Sequence, residues 1–295
     1  MAEHQVGWSK LVAAVIRERL TGPLAQDEVL VTWDVAGGDN QAWLTFGYCV
    51  VDLNACRLSA VLKKLVATTK GRPPQWKDRR CSKFTSHSRQ LFELIAEVDA
   101  RIALVSFQGK AWDLTLSEAG AKAVRDRGDF RYSWSNNENR ERAMKSYLNL
   151  ATILECTVSP TARITWALDR DQIHESPEQI ADLTSAINSL WFYAGGLDYV
   201  HLHNNAPVMS QNEIDLLCAI PDIFAGCLTN KLQSRGLGSA IKDAQCGTEQ
   251  QLNLSGKPDE AFEFVEAHLS RLTAIGKAVQ IVITGREELR VHSIT

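Results

Sequence analysis

The sequence predicts an α/β protein in which helices cover the faces of one mixed β-sheet. Short apolar runs alternate with longer segments in which apolar residues recur every three or four positions. The first two apolar runs are joined by a glycine-containing turn, whereas the later ones are separated by predicted helices. A hairpin followed by alternating helices and strands is typical of a mixed sheet.

The N-terminal half is predicted to contain a helix, a hairpin, a second helix and a buried strand. Residues 7–20 form an amphipathic helix that ends at a Thr-Gly-Pro sequence. Strands at 28–34 and 43–51 flank the glycine-containing turn and form the hairpin. A helix with one apolar face follows at 86–98, and a buried strand follows at 102–107.

The C-terminal half is predicted to alternate helices with strands. The predicted helices cover 138–157, 177–191, 211–232 and 258–275, and the predicted strands cover 162–168, 199–202 and 278–284. Pro221 is expected to kink or break the third of these helices, because proline lacks the backbone N–H that the helix needs. A segment rich in Gly, Ser and Gln at 234–257 predicts a long loop.

Chain length and this element order suggest one main core with two additions. The 295 residues are enough for one large core or two modest ones. We expect an N-terminal helix at 1–25, an α/β core at 26–232, and a loop plus C-terminal α/β extension at 233–295.

Composition predicts a cytoplasmic protein that has no membrane partner. No apolar run approaches the roughly 20 residues that span a bilayer, and the N-terminus lacks the pattern of a secretory signal. The seven cysteines include no Cys-x-x-Cys spacing, which favours reduced thiols. Neither glycine-rich nucleotide-binding fingerprint is present.

Three aspartates occupy apolar surroundings where an unpaired charge would be costly. Asp34 and Asp169 each end an apolar strand, and Asp222 lies inside an apolar helix. Burying an unpaired carboxylate costs several kcal/mol unless a cation or hydrogen-bond donors compensate. Three carboxylates together predict that a shared Mg²⁺ or Mn²⁺ ion balances their charge, because these ions prefer oxygen ligands. The alternative is that each is a turn or cap residue, with Asp222 capping a helix that restarts after the proline.

A basic segment at 70–89 predicts a contact with nucleic acid. It contains seven Lys or Arg against one Asp, a local charge of +6, and is interrupted by Trp76 and Phe84. Basic side chains bind a phosphate backbone, and interleaved aromatic rings stack on unpaired bases. The alternative is a solvated basic loop. The candidate contacts are Lys77, Arg79, Arg80 and Lys83.

Four short motifs, taken in order, resemble those of a known family. The first strand ends in Asp34-Val35-Ala36-Gly37, a lysine at 77 or 83 precedes a helix, and the middle strand ends in Leu168-Asp169-Arg170. The late helix contains Ala219-Ile220-Pro221-Asp222-Ile223-Phe224-Ala225-Gly226. Over 28–232 the chain resembles the domain of unknown function 3800 family, a bacterial group with a ribonuclease H-like fold.

The resemblance implies a ribonuclease H-like sheet and a metal-dependent nuclease-like phosphodiesterase that acts on RNA or DNA. It implies that Asp34 bridges two ions, that Asp169 and Asp222 each hold one, and that Lys83 or Lys77 contacts phosphate.

The chain also departs from the family pattern. Val35 and Ala36 replace a Glu and a Ser of the first turn, and Ala219 and Pro221 replace a Gln and an Ala of the late motif. The alternative function is therefore a catalytically inactive, ribonuclease H-like binding or interaction subunit that works with a protein partner.

Overall fold

The computed structural model describes most of the N-terminal half of the chain and selected parts of the remainder. The described residues are 7–37, 42–70, 72–109, 111, 149–150, 152–159, 161–168, 202–204, 209–235, 241–243, 249–250, 260–285 and 290–294. Within them the protein is an α/β structure with a mixed sheet flanked by helices, as the sequence predicts.

The labelled elements are numbered in chain order. The helices are α1 (Gly7–Arg19), α2 (Leu53–Leu58), α3 (Ala60–Thr69), α4 (Phe84–Glu97), α5 (Gln211–Arg235) and α6 (Glu260–Ala274). The strands are β1 (Glu28–Ala36), β2 (Trp43–Asp52), β3 (Ala100–Gln108), β4 (Arg163–Leu168), β5 (Leu202–Asn204), β6 (Ile241–Asp243), β7 (Glu249–Gln250), β8 (Ala278–Thr284) and β9 (Arg290–Ile294). A 3-10 turn at Trp76–Asp78 precedes α4.

The described strands form one sheet in the order β5-β4-β1-β2-β3-β8-β9-β6-β7. Strands β1, β2 and β3 form an antiparallel meander, so the predicted hairpin is confirmed. Strand β4 pairs parallel with β1, and β5 pairs parallel with β4. On the other side β8 pairs parallel with β3, which makes the C-terminal strands a continuation of the same sheet.

The sequence did not predict all of the C-terminal strands. Strand β9 was not predicted, and β6 and β7 lie in the segment predicted as a long loop, so that prediction is wrong there. Two or three residues carry too little periodicity to indicate a strand, and β6 is held by pairing with the distant β9. The helix predicted at 177–191 lies outside the described residues, and of the one at 138–157 only 149–150 and 152–157 are described, as helix.

Helices cover both faces of the sheet and divide the apolar core into two layers. Helix α1 contacts β8 and β9 on one face, where Ile16 packs with Val279 and Ile281. Helices α3, α4, α5 and α6 cover the other face. Helix α5 is buried on several sides because it lies on β1 and β2 and is itself contacted by α3, α4 and α6. No helix in the described ranges is both long and apolar enough to cross a membrane.

Helix α5 continues through Pro221, so of the kink or break predicted at this residue the break is wrong. An ordinary residue here would donate its N–H to the carbonyl of Leu217, four residues earlier, and proline cannot. The Leu217 carbonyl instead accepts a hydrogen bond from the Thr32 hydroxyl of β1, with an oxygen–oxygen distance of 3.2 Å. Because the helix does not restart after the proline, Asp222 is not the N-cap of a second helix.

Candidate metal and nucleic-acid site

Asp34 lies near the end of β1 on the face that α5 covers. Side chains alternate between the two faces of a strand, and Thr32, two residues earlier, reaches α5. The Asp34 side chain therefore lies on the same face. It is half-buried, and its Oδ1 accepts a hydrogen bond of 2.7 Å from the backbone N–H of Val35. That local bond orients the carboxylate, as the turn-residue alternative expects.

Gly47 of β2 lies directly opposite Asp34 and lets α5 approach the sheet. A Cβ atom at this position would lie 2.7 Å from the carbonyl oxygen of Pro221 and 3.1 Å from the Cβ of Ala225. Only a residue without a side chain fits so close to a helix backbone. The packing therefore places Pro221 against the strand position beside Asp34, and Asp222 is the next residue of the helix.

Asp222 is half-buried in α5 and also anchors the 3-10 turn. Its Oδ2 accepts a hydrogen bond of 2.7 Å from the backbone N–H of Trp76. Gly226 lies one helical turn after Asp222, and a Cβ atom there would lie 2.3 Å from the Trp76 ring. Asp222 bonds the backbone of Trp76, and Gly226 leaves room for its ring. The Asp222 carboxylate therefore has a structural role, whereas the sequence predicts it as a metal ligand.

Two of the three predicted metal ligands therefore lie on elements that pack together, β1 and α5, and the third, Asp169, lies outside the described residues. Strand β4 ends at Leu168, which pairs with Trp33, the residue before Asp34. Within the described ranges, no group of three or more His, Cys, Asp or Glu side chains is placed to hold a metal ion.

The basic segment presents its charges outward. Lys77, Arg80 and Lys83 are exposed and Arg79 is half-buried. The guanidinium of Arg79 lies 5.0 Å from the ring centroid of Trp76, a cation–π contact that holds it against the loop. Burial lowers the pKa of the neighbouring His87, and the Lys83 ammonium lowers it further.

The two aromatic residues of the segment belong to the core rather than to its surface. Trp76 is 8% exposed and Phe84 is 3% exposed. Their rings pack edge-to-face with centroids 6.1 Å apart. The expectation that they stack on unpaired bases is therefore wrong, because neither ring face is open to a ligand. The exposed basic side chains of the segment are available for contacts with phosphate, whereas these two rings are not available to stack on bases.

Sequence reasoning missed three residues that shape this region. A glycine inside an apolar strand is itself a signal of close backbone approach, and Gly47 has that role. Thr45 and Ser106 are fully buried in β2 and β3, and their hydroxyl oxygens lie 2.9 Å apart. Thr45 pairs with Ala36 of β1, two residues beyond Asp34. The pairing of these two hydroxyls follows from the register of β2 and β3, and no local sequence pattern indicates it.

Comparison with known proteins found no matching family model, no significantly similar curated protein and no significantly similar solved structure. The fold and the site define the class instead. The chain is an α/β protein with a mixed sheet, in which a half-buried carboxylate on β1 and another on α5 lie on packed elements, and the second bonds to an exposed basic segment.

Proposed function

We propose that the protein has a ribonuclease H-like core and acts as a metal-dependent nuclease-like phosphodiesterase on nucleic acid. The observation that carries the proposal is that Asp34 and Asp222 lie on two elements that pack against each other. The two residues are 188 positions apart in the chain, and Gly47, opposite Asp34, lies against Pro221, which precedes Asp222.

The strand order supports the ribonuclease H-like core. In the part of the sheet ordered β5-β4-β1-β2-β3, the first strand is the middle one. It has an antiparallel hairpin partner on one side and a parallel strand on the other. That is the arrangement expected of a ribonuclease H-like sheet, in which the first-strand aspartate lies at the centre. Helix α5 packs across this centre, which is where the final carboxylate is expected.

The donor set fits Mg²⁺ or Mn²⁺. Carboxylate oxygens are the hard ligands that these ions prefer. Asp34 accepts a hydrogen bond from the backbone N–H of Val35, and Asp222 accepts one from the backbone N–H of Trp76, so both carboxylates are oriented by backbone donors. Asp169 is proposed as the third ligand. A bound pair of ions would activate water and stabilise the departing oxygen of a phosphodiester.

The chain's own residues would hold and position the substrate. Asp222 anchors the basic segment at Trp76, so the carboxylate and the segment are joined by a direct hydrogen bond. Lys77 and Lys83 are exposed and are proposed to contact phosphate oxygens, with Arg79 and Arg80 extending the basic surface.

The second candidate function is a catalytically inactive subunit of the same fold that binds nucleic acid or a partner protein. The structural bonds of both carboxylates favour it, since Asp34 orients its own turn and Asp222 anchors the loop. The replaced residues favour it too. Ala219 is buried, and Val35 packs against the apolar core, so neither supplies a polar group to the site.

A nuclease assay with a matched variant pair tests the proposal. We expect the purified protein to cleave single-stranded RNA or plasmid DNA with Mg²⁺ or Mn²⁺, and Asp34→Asn to reduce cleavage to the level measured with EDTA. Asp27→Asn is the control, because Asp27 is exposed and just precedes the other end of β1. Cleavage unchanged by Asp34→Asn would exclude this site.

A metal titration separates the two candidate functions. A ligand that binds only the folded state raises the melting temperature. Mn²⁺ should therefore stabilise the wild-type protein and should not stabilise Asp34→Asn. An inactive subunit without a metal site would show the same melting temperature with and without Mn²⁺.

A further inference from the structure

A second site lies outside the carboxylate region, in a cleft between α1, α5, α6 and β8. Its volume is about 710 Å³, within the range of roughly 300–1,000 Å³ that small-molecule sites occupy. Gln280 lies on its wall in the same row of the sheet as Asp34, with Gly47 and Leu104 between them. Three strand spacings of about 4.8 Å put the two residues about 14 Å apart.

The wall of the cleft carries hydrogen-bond donors that the protein does not fully use. Arg19 lines the cleft, and its buried Nε has no hydrogen-bond partner among the described residues. The carboxylate of Glu18 lies 4.0 Å from this nitrogen, which is beyond hydrogen-bonding distance. Among the described residues, the Nη2 of the same guanidinium contacts the Ser293 hydroxyl, at 3.5 Å. A buried N–H without an acceptor is costly, so a ligand oxygen here would be stabilising.

A buried lysine adds a second cationic group; Glu18 and Glu266 also line the cleft and balance the two charges, so the preference for an anion rests on the N–H donors that remain. The side chain of Lys231 is 8% exposed, and its Nζ lies 2.6 Å from Glu266 Oε1. An ammonium has three N–H donors, so one carboxylate contact does not use its full capacity. The Gln280 side-chain amide is also buried and meets the Thr273 hydroxyl only at 3.5 Å.

The remaining lining is apolar. Leu20, Ala274 and Ile294 lie along the cleft, and Ile275, which is 52% exposed, lies at the turn that follows α6. An apolar lining with a few convergent donors is the composition of a site for a small organic molecule.

We propose that this cleft binds a small amphipathic organic anion, whose charged oxygens meet Arg19 and Lys231 and whose apolar part lies along Leu20 and Ile294. The proposal is independent of the nuclease-like function, because no residue of the cleft belongs to the carboxylate site.

Three matched probes test the charge preference by titration calorimetry: hexanoate, hexylammonium and hexanol. We expect hexanoate to bind with a Kd that is roughly millimolar, as its size allows. The other two should bind about tenfold or more weakly, since they lack the anionic oxygens that form charge-assisted hydrogen bonds. Equal affinity for hexanoate and hexylammonium would overturn the proposal.

A variant pair and a spectroscopic measurement locate the binding. Arg19→Gln should weaken hexanoate binding by about tenfold. Arg17→Gln makes the same charge change on the same helix at an exposed position outside the cleft and should leave binding unchanged. In the wild-type protein, hexanoate should shift the NMR amide signals of Thr273 and Gly276. This measurement does not depend on the folding of a variant. Binding unaffected by Arg19→Gln, or shifts elsewhere only, would refute the site.

Discussion

Thr32 donates its hydroxyl hydrogen to the carbonyl oxygen of Leu217 across 3.2 Å, and this carbonyl is the acceptor that Pro221 leaves without a helical N–H. The central strand and the long helix are therefore joined through the acceptor that the proline leaves free in the helix. Asp34 follows Thr32 by two residues on the same face of β1. The position of α5 along β1 is fixed by this contact and by the absence of a side chain at Gly47.

The first prediction concerns Thr32. Thr32→Val keeps the shape of the side chain but leaves a buried carbonyl without its donor, and Thr32 is only 1% exposed. We expect a loss of about 1–3 kcal/mol in the free energy of unfolding. Urea denaturation measures it.

The control for this prediction is the same substitution in a Pro221→Ala background. Alanine restores the N–H that bonds the Leu217 carbonyl within the helix, so the cost of Thr32→Val should fall markedly there. An equal cost in both backgrounds would show that the threonine bond does not replace the missing helical one.

The second prediction concerns Gly47→Ala. The new Cβ would lie 2.7 Å from the Pro221 carbonyl oxygen, so either β2 or α5 must move. We expect a destabilisation of about 1–3 kcal/mol, the usual cost of overpacking. If the carboxylates bind Mn²⁺, its affinity should fall as well. Ala225→Gly should not rescue the variant, since the nearest atom is backbone; full rescue would contradict this account.

The third prediction separates the two roles of Asp222. Asp222→Asn keeps an oxygen that accepts the Trp76 N–H, whereas Asp222→Ala does not. Hydrogen exchange at the Trp76 amide should stay slow in the first variant and become fast in the second. Both variants should lose Mn²⁺ binding if the carboxylate is a metal ligand. Fast exchange in both would mean that the bond requires the charge.

The fourth prediction concerns the basic loop. Arg80→Gln with Lys83→Gln removes two exposed charges and should weaken nucleic-acid binding. Each lost phosphate contact lowers the slope of log K against log salt by about 0.9 for duplex DNA, so the slope should fall by about 2. Lys10→Gln with Arg17→Gln makes the same charge change on α1, beyond the other face of the sheet, and should leave the slope unchanged. Equal effects of the two pairs would show that only net charge matters.

The fifth prediction concerns alkaline pH. Burial raises the pKa of the Cys56 thiol to about 12 and that of Cys156 to about 11, from an ordinary value of 9.0. Above pH 9 the unfolded chain ionises these thiols while the folded chain keeps them protonated, so stability should fall as pH rises from 9. Cys56→Ala should reduce that fall between pH 8 and 10.5, and Cys81→Ala, at an exposed position, should not. A pH dependence that is identical in wild type and Cys56→Ala would contradict the assignment.

Most helices and the longer strands could be predicted because their signals are local. The strands of the first hairpin are long apolar runs on either side of a short turn, and the apolar face of α4 recurs at helical spacing. Strand β9 and the short pair β6 and β7 could not be predicted, since they exist only through pairing with strands elsewhere in the chain. The packing of the Asp222 helix against the Asp34 strand could be expected only from the family resemblance.

The sequence by itself determined the alternation of strands and helices and the charge of the basic loop, because periodicity and composition act between neighbours in the chain. Tertiary structure decided three other matters. The Thr32 hydroxyl bonds the α5 carbonyl that Pro221 leaves free, and burial removes Trp76 from the binding surface. Strand register places Asp34 and Gln280 in one row across the sheet. Each depends on atoms far apart in sequence, and only packing and hydrogen bonding between elements bring such atoms together.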